Sequence, residues 1–219
     1  MSIAALTGSG MTSQRTRARM VDRLREQGIR DPRVLHAMSI VPRHVFLDEA
    51  LANRAYEDTA LPIGFKQTIS QPYVVARMVE ILIANRELGK TLEIGAGSGY
   101  QAAVLGVLSK QVFAIERIAP LLTRARENLK NAKLSHIRLK HADGHLGLPE
   151  AAPFDSIVLA AAANHVPQAL LTQLAPGGRL AMPLGGIEQV ILLVERTEKG
   201  WVETRFDAVR FVPLLPGTE

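Results

Sequence analysis

The chain has 219 residues, of which 47% are hydrophobic and 21% are charged. This length and balance are typical of a folded globular protein and exclude a chain that is disordered throughout. The sequence contains no cysteine, which excludes disulfides, thiolate catalysis and cysteine-ligated zinc. No apolar run approaches the roughly 20 residues that span a bilayer, and the N-terminus does not read as a secretory signal. We therefore expect a cytoplasmic protein that does not contact membranes.

The formal net charge is +5 and the sequence pI is about 9.8. Much of the positive charge falls on one predicted N-terminal helix. We interpret this helix as a solvated face rather than a nucleic-acid site, because no aromatic residues alternate with the basic ones. A basic nucleic-acid-binding or scaffold protein remains an alternative from another functional class. The arginines concerned are Arg15, Arg17, Arg19, Arg23 and Arg25.

Residues 1–69 are predicted to be a tail followed by a helical segment. Residues 1–14 are rich in Gly, Ser and Thr and are predicted to be disordered. A polar helix follows over residues 14–27, and a second begins at Asp31-Pro32, an N-cap followed by a first-turn proline. A short helical piece over residues 48–54 and a loop over residues 56–70 complete the segment. We expect residues 15–69 to pack on the rest of the chain.

Residues 70–219 alternate between apolar strands and helices. A helix begins at Pro72, and helical stretches over residues 100–108, 120–129 and 167–174 separate short apolar runs. This alternation predicts a doubly wound, Rossmann-like α/β sheet that is mostly parallel. From residue 178 onward no helix separates the strands, so these are predicted to be antiparallel strands at one edge. The whole chain is predicted to be a single domain.

The segment TLEIGAGSGY, residues 91–100, has the pattern of a strand that ends in a glycine-rich turn before a helix. Glycines there permit positive φ and close approach of a ligand to the backbone. The spacing is G-x-G-x-G, whereas the dinucleotide fingerprint needs G-x-G-x-x-G, and no P-loop lysine is present. Glu93 would repel a pyrophosphate but could accept hydrogen bonds from the amino group of a cationic ligand.

Two more carboxylates follow predicted strands. Glu116 lies 19 residues after Gly97, where it could accept hydrogen bonds from ribose hydroxyls. Asp143 ends a later strand, where it could accept a hydrogen bond from an adenine amino group. These carboxylates, together with Glu93, predict that the cofactor is S-adenosylmethionine.

Several stretches together closely resemble the protein-L-isoaspartate O-methyltransferase family. They are LPIGFKQTISQPYVVARMVEIL at 61–82, TLEIGAGSGYQAAVL, FAIERI, ADG, FDSIVLAAA, LLTQLAPGGRLAMPLG, VPRHVF near residue 41 and VRFVPL near residue 209. The resemblance covers about nine-tenths of the chain, and its specific part is the TISQP block. It implies methylation of the free α-carboxylate of L-isoaspartyl residues in damaged proteins and peptides. The ester then collapses to a succinimide, which hydrolyses partly to aspartate.

The resemblance also implies roles for particular residues. Ser70 takes the place of the catalytic serine, and Val212 matches a region whose backbone holds the isoaspartyl peptide. Lys66 stands where many members have glycine. The residues predicted to bind substrate are Thr68, Ile69, Ser70 and Val212. Those predicted to bind the cofactor are Thr68, Ile69, Ser70, Gln71, Glu93, Gly95, Gly97, Ser98, Gly99, Glu116, Arg117, Asp143 and Gly144.

Two other kinds of site are weighed against this interpretation. His141 and His145 flank Asp143, but a strand end and a turn rather than a helix carry them, so no metal site is predicted. A methyltransferase acting on RNA or a small molecule remains the alternative within enzymes. However, residues 161–165 lack the N/D-P-P-Y/F motif that base methylases often carry after the fourth strand. The protein is predicted to act as a monomer.

Overall fold

The structure is a computed structural model that describes residues 8–219. Its helices are α1 (Gln14–Glu26), α2 (Pro32–Ile40), α3 (Pro72–Ile83), α4 (Tyr100–Leu108), α5 (Ala119–Asn131) and α6 (Gln168–Thr172). Short 3-10 helices lie at Gly10–Thr12, Arg43–Phe46, Glu49–Arg54 and Pro149–Ala151. The strands are β1 (Leu61–Gly64), β2 (Gln67–Ile69), β3 (Thr91–Ile94), β4 (Val112–Glu116), β5 (Arg138–His141), β6 (Phe154–Leu159), β7 (Leu174–Gly185), β8 (Gln189–Thr197) and β9 (Gly200–Val209).

Seven strands form the central sheet in the order β5-β4-β3-β6-β7-β8-β9. The first five in this order are parallel, and β8 and β9 add to one edge in antiparallel pairing. This arrangement confirms the predicted fold class. The chain runs outward from β3 to β5 and then returns to β6 on the other side of β3. Open sheets of this type bind ligands beside the carboxyl ends of the strands at such a switch point.

Apolar residues pack against both faces of the sheet. Leu92 and Ile94 belong to one buried cluster, which also includes Leu170 of α6. A second cluster contains side chains from α1 to α5. Because neighbouring residues of a strand face opposite sides, Glu93 points toward the second cluster rather than toward α6. A carboxylate is thereby placed on the face covered by the N-terminal helices.

Local signals in the sequence explain where the first helices begin. Ser13 caps α1 by accepting a hydrogen bond from the Thr16 amide (3.4 Å), and Asp31 caps α2 through the Arg33 amide (2.8 Å). Asp31 and Pro32 therefore open α2 as predicted. Of the predicted tail, residues 1–7 lie outside the described residues, whereas Gly10–Thr12 form a 3-10 turn. No helix within residues 8–219 is long and apolar enough to cross a bilayer.

The interpretation of the arginine-rich helix as a solvated face is wrong for two of its residues. Arg17 is buried and donates to the Tyr56 hydroxyl (3.1 Å) and to the Ile40 carbonyl (3.1 Å). Arg23 donates to the Tyr56 carbonyl (2.6 Å). These arginines attach α1 to the segment before β1, with partners 23 to 39 residues away that no local pattern indicates.

The prediction of a loop over residues 56–70 is also wrong, because β1 and β2 pair there as an antiparallel hairpin. Leu61 and Ile63 are buried while the residues that follow each of them are exposed. Phe65 (φ 53°) and Lys66 (φ 57°) form the turn in the left-handed region. Such turns are usually formed by Asn-Gly or Asp-Gly, and Phe-Lys does not indicate one. Helix α6 is shorter than predicted, because β7 already begins at Leu174.

Candidate active site

The glycine-rich turn after β3 has the backbone conformation expected of it. Gly95, Gly97 and Gly99 have φ values of 88°, 54° and 88°. A side chain in this region is strained, and a Cβ on Gly97 would also lie 3.2 Å from the Ile63 side chain of the hairpin. Glycine therefore allows both the turn and the close approach of β1 to it.

Glu116 fixes this turn to the end of β4. One carboxylate oxygen accepts a hydrogen bond from the Gly97 amide (2.8 Å), and the other accepts one from the Ile118 amide (3.0 Å). Gly97 and Glu116, which are 19 residues apart in the sequence, are thus joined by a hydrogen bond. A carboxylate oxygen has more than one lone pair, so Glu116 retains capacity to accept from ligand hydroxyls.

The turn forms the floor of a cleft that we call the central pocket. It lies between the β1–β2 hairpin, the ends of β3, β4 and β6, and the segment after β9. Most of the predicted site residues line it: Thr68, Ile69, Ser70, Glu93, Gly95, Gly97, Ser98, Glu116, Arg117, Gly144 and Val212. The three that do not are Gln71, Gly99 and Asp143.

Glu93 is the least solvated charged group of the pocket. Its side chain is fully buried, and neither carboxylate oxygen has a hydrogen-bond partner within residues 8–219. Burial raises the pKa of Glu93 well above its ordinary value; the neighbouring Gln101 amide opposes this rise, and the charge of Glu116 adds to it. An unpaired buried carboxylate is costly, which favours a cationic ligand beside it.

Gln101 is a pocket residue that the sequence analysis missed. It follows Tyr100 in α4, lines the central pocket, and is 7% exposed. In the part of the chain that the structure describes, its Nε2 has no hydrogen-bond partner. The sequence feature that could have indicated a role for Gln101 is its amide side chain at the start of an otherwise apolar helix, YQAAVLGVL. Glu93 and Gln101 together offer a carboxyl group and an amide donor on one wall.

Tyr100 joins this wall to the N-terminal segment. The guanidinium of Arg43, itself fully buried, lies 4.7 Å from the centre of the Tyr100 ring and donates to the Ala55 carbonyl (2.8 Å). Burial raises the pKa of Tyr100 to about 12, although the adjacent Arg43 works against the rise. Tyr100 is therefore a neutral phenol at physiological pH, and α4 is held against the 3-10 helix that carries Arg43.

Asp143, which the sequence predicts to accept a hydrogen bond from adenine, is already hydrogen-bonded within the protein. Its oxygens accept from the amides of His145 (2.8 Å) and Gly217 (2.6 Å). Partial burial alone would raise the pKa of Asp143, but these hydrogen bonds outweigh it and lower the pKa. Arg117 binds the same segment, donating to the Gly217 carbonyl (3.1 Å). An adenine-binding role for Asp143 stays a prediction, and it requires the carboxylate to accept a further bond or to release Gly217.

Ser70 lies between the hairpin and α3 with its hydroxyl uncommitted. The N-cap of α3 is Gln71, and no side chain caps this helix. Within residues 8–219, the Ser70 hydroxyl makes no hydrogen bond. The residue lines both the central pocket and a neighbouring depression. We call the latter the Ser70 depression; Thr68, Gln71 and Val212 also line it.

The backbone around Val212 is held firmly. The Ala162 amide donates to the Val212 carbonyl (2.8 Å), and the Leu214 amide donates to the Ala162 carbonyl (2.7 Å). Leu214 and Leu215 extend the segment along the central pocket, a contribution that the sequence analysis did not identify. This segment and the β1–β2 hairpin form two walls of the cleft at the carboxyl ends of the strands.

The protein is similar to known proteins along its whole described length. A protein from Dechloromonas aromatica named protein-L-isoaspartate O-methyltransferase is 66% identical over 98% of this chain and 100% of its own. A solved structure of a protein-L-isoaspartate O-methyltransferase matches with a TM-score of 0.81 and 26% identity, covering 90% of this chain and 65% of that longer one.

A second solved structure, from Plasmodium falciparum, is described as a protein-L-isoaspartate O-methyltransferase in complex with S-adenosyl-L-homocysteine. It matches with a TM-score of 0.80 and 25% identity over 91% of this chain and 98% of its own. The model of the family described as protein-L-isoaspartate(D-aspartate) O-methyltransferase matches residues 15–219. The chain therefore belongs to the protein-L-isoaspartate(D-aspartate) O-methyltransferase family.

Proposed function

We propose that this protein transfers the methyl group of S-adenosylmethionine to the free α-carboxylate of L-isoaspartyl residues in damaged proteins and peptides. The observation that carries the proposal is the position of Ser70. Ser70 lines both the central pocket and the Ser70 depression, and its hydroxyl makes no hydrogen bond within residues 8–219. A methyl donor in the first cavity and an acceptor carboxylate in the second would meet at this residue.

The residues of the central pocket fit S-adenosylmethionine. The buried carboxylate of Glu93 matches a positively charged amino group, and the Gln101 amide can donate to the carboxylate of the methionine part. Glu116 is positioned to accept from ribose hydroxyls while it holds the glycine turn. When bound, S-adenosylmethionine supplies a methyl group whose bond to sulfur breaks as the acceptor oxygen forms the new C–O bond, leaving S-adenosylhomocysteine.

The protein's task in this reaction is alignment rather than proton removal. An α-carboxylate has an ordinary pKa of about 3.5, so it is already ionised at neutral pH. Among the described residues, no histidine, lysine or aspartate lines either cavity, and the Ser70 depression is lined by no glutamate that could serve as a base. The Ser70 hydroxyl donates a hydrogen bond to one carboxylate oxygen and leaves the other oxygen free to attack. Alignment of this kind can supply up to roughly 7–11 kcal/mol of a barrier.

Val212 contributes through its backbone. Its segment lines both cavities and is fixed by the hydrogen bonds to Ala162, so it presents a rigid edge to an extended peptide. Thr68 and Ile69 form the opposite edge from β2. Together these edges would hold the peptide so that only the carboxylate reaches Ser70. Product release is followed by succinimide formation from the methyl ester, a step that needs no group of this protein.

Replacing Ser70 by alanine tests this assignment. Loss of one hydrogen bond to a charged group costs about 1.5–3 kcal/mol, so we expect kcat/KM for an isoaspartyl peptide to fall about 10- to 100-fold. The Kd for S-adenosylhomocysteine, measured by calorimetry, should change little. Ser135→Ala, on an exposed turn before β5, is the matched control. A kcat/KM close to wild type in Ser70→Ala would remove Ser70 from the mechanism.

The monomeric state and cytoplasmic location predicted from the sequence stay part of this proposal. Analytical ultracentrifugation at assay concentration tests the monomeric state. A filter-binding assay over a range of salt concentrations tests the nucleic-acid alternative, because phosphate contacts give a steep salt dependence.

A further inference from the structure

A second depression adjoins the Ser70 depression, with which it shares Arg210 and Phe211, and also meets the central pocket at Pro213 and Leu214. We call it the flanking depression; its volume is about 500 Å³. It lies between the loop after β6, the β7–β8 turn and the segment after β9, and Ile187 at its rim is 98% exposed. Residues that line it include His145, Asn164, His165, Ile187, Arg210 and Phe211.

Arg210 belongs to the walls of both depressions. It lines the Ser70 depression and the flanking depression, as does Phe211, so a wall only about two residues wide separates the two. The backbone of this wall is fixed: the Phe211 amide donates to the Gln189 side chain (2.7 Å), which in turn donates to the Phe211 carbonyl (3.2 Å). The Arg210 side chain is exposed and makes no hydrogen bond or ion pair within residues 8–219.

The charges around this wall favour an anion. No aspartate or glutamate lines either depression among the described residues, and Arg210 is the one full positive charge that lines both. His145 is already engaged by Asp143 at 3.2 Å, and His165 is exposed. Glu188 lies on the β7–β8 turn but outside the lining. A solvated, unpaired guanidinium over such a surface attracts carboxylates.

We propose that the flanking depression is a subsite for the peptide chain next to the isoaspartyl residue, and that Arg210 selects an acidic side chain there. The proposal rests on isoaspartyl methylation at Ser70. An extended peptide advances about 3.3 Å per residue, so a wall of this width is crossed within one or two residues of the reactive one. The preferred substrates are therefore isoaspartyl sequences with Asp or Glu within two positions.

The test is a panel of isoaspartyl peptides that differ only in Glu or Gln at each of the two positions before and after the isoaspartyl residue. The measured quantity is the ratio of kcat/KM for the Glu peptide to that for the Gln peptide. For one exposed ion pair we expect a ratio of about two to five at low salt at one or more positions. It should approach one at ~1 M salt, where the Debye length is about 3 Å.

Variants locate the effect on Arg210. In Arg210→Gln the ratio should fall to about one, and in Arg210→Glu it should invert. Arg205→Gln is the matched control, because Arg205 is likewise an exposed arginine but lies in β9 and lines neither depression. It should keep the wild-type ratio. Using a ratio within each variant cancels any general change in activity.

Two outcomes would overturn the subsite: a wild-type ratio of one at every position, or a ratio that stays unchanged in Arg210→Gln. If the unchanged ratio comes with an equal loss of kcat/KM for the Glu and Gln peptides, Arg210 binds the reactive carboxylate instead. Each leaves isoaspartyl methylation standing, whereas no methylation of any isoaspartyl peptide by wild type would overturn the proposed function itself.

Discussion

Replacing Glu93 by glutamine should stabilise the free protein at high pH and weaken its binding of S-adenosylmethionine. The glutamine keeps the size of the side chain and removes a charge that is fully buried without a hydrogen-bond partner in the described chain. Loss of a hydrogen bond to a charged group costs about 1.5–3 kcal/mol, which corresponds to a Kd about 10- to 100-fold higher.

The sign of the effect on stability follows from the pKa of Glu93, which burial raises in the folded protein. Between the unfolded-state pKa of about 4.3 and the folded-state pKa, the unfolded chain is ionised while the folded one holds a proton. The free energy of unfolding is therefore unaffected by Glu93 below the lower pKa. It falls by about 1.4 kcal/mol per pH unit as the pH rises from the unfolded-state pKa to the folded-state pKa. In a chain of this size that slope lowers Tm by roughly 3–6 °C per pH unit.

Calorimetry of both proteins between pH 4 and pH 9 measures this difference. Relative to wild type, the Glu93→Gln variant should gain in Tm as the pH rises, and the gain should level off above the folded-state pKa. The calorimetric Kd for S-adenosylmethionine at pH 8 completes the test. Parallel Tm profiles for the two proteins, or an unchanged Kd, would refute the assignment of Glu93 as an unpaired carboxylate that awaits a cation.

Three further changes probe the walls of the pocket. Lys66→Gly should raise the free energy of unfolding by up to about 1 kcal/mol, because a left-handed lysine is strained; a lower Tm would contradict this. Arg124→Ala removes a donor to the Ile63 carbonyl (2.9 Å) and should raise KM for S-adenosylmethionine about 3- to 10-fold, so an unchanged KM would show that the hairpin holds without it. Gly144→Ala places a Cβ 2.6 Å from the Ile94 side chain and should lower the free energy of unfolding, measured by thermal melting, by about 1–3 kcal/mol. A wild-type Tm would indicate that the neighbouring side chains move aside without cost.

The sheet and its cofactor turn could be predicted because their signals are local. Apolar runs separated by helical periodicity indicated the parallel strands, and the spacing of glycines after Glu93 indicated the turn. The separation of Gly97 and Glu116 was also readable, since the ends of adjacent parallel strands meet at one edge of the sheet. These features depend on residues that lie close together in the sequence or on a regular topology.

The rest of the site depends on contacts between distant parts of the chain. The Gly217 amide reaches Asp143 across 74 residues, and the Arg17 side chain reaches Tyr56 across 39. No periodicity encodes such pairs, so the sequence analysis placed Arg17 in solvent and left Asp143 free for adenine. The hairpin was missed for a different reason: Phe65 and Lys66 adopt a turn that glycine and asparagine normally occupy.

The central claim is that the acceptor is the free α-carboxylate of an isoaspartyl residue. Transfer of labelled methyl from S-adenosylmethionine to two peptides that differ only in isoaspartate or aspartate at one position tests it most directly. We predict labelling of the isoaspartyl peptide and background labelling of the aspartyl peptide. Equal labelling of the two peptides, or labelling of neither, would contradict the proposed function.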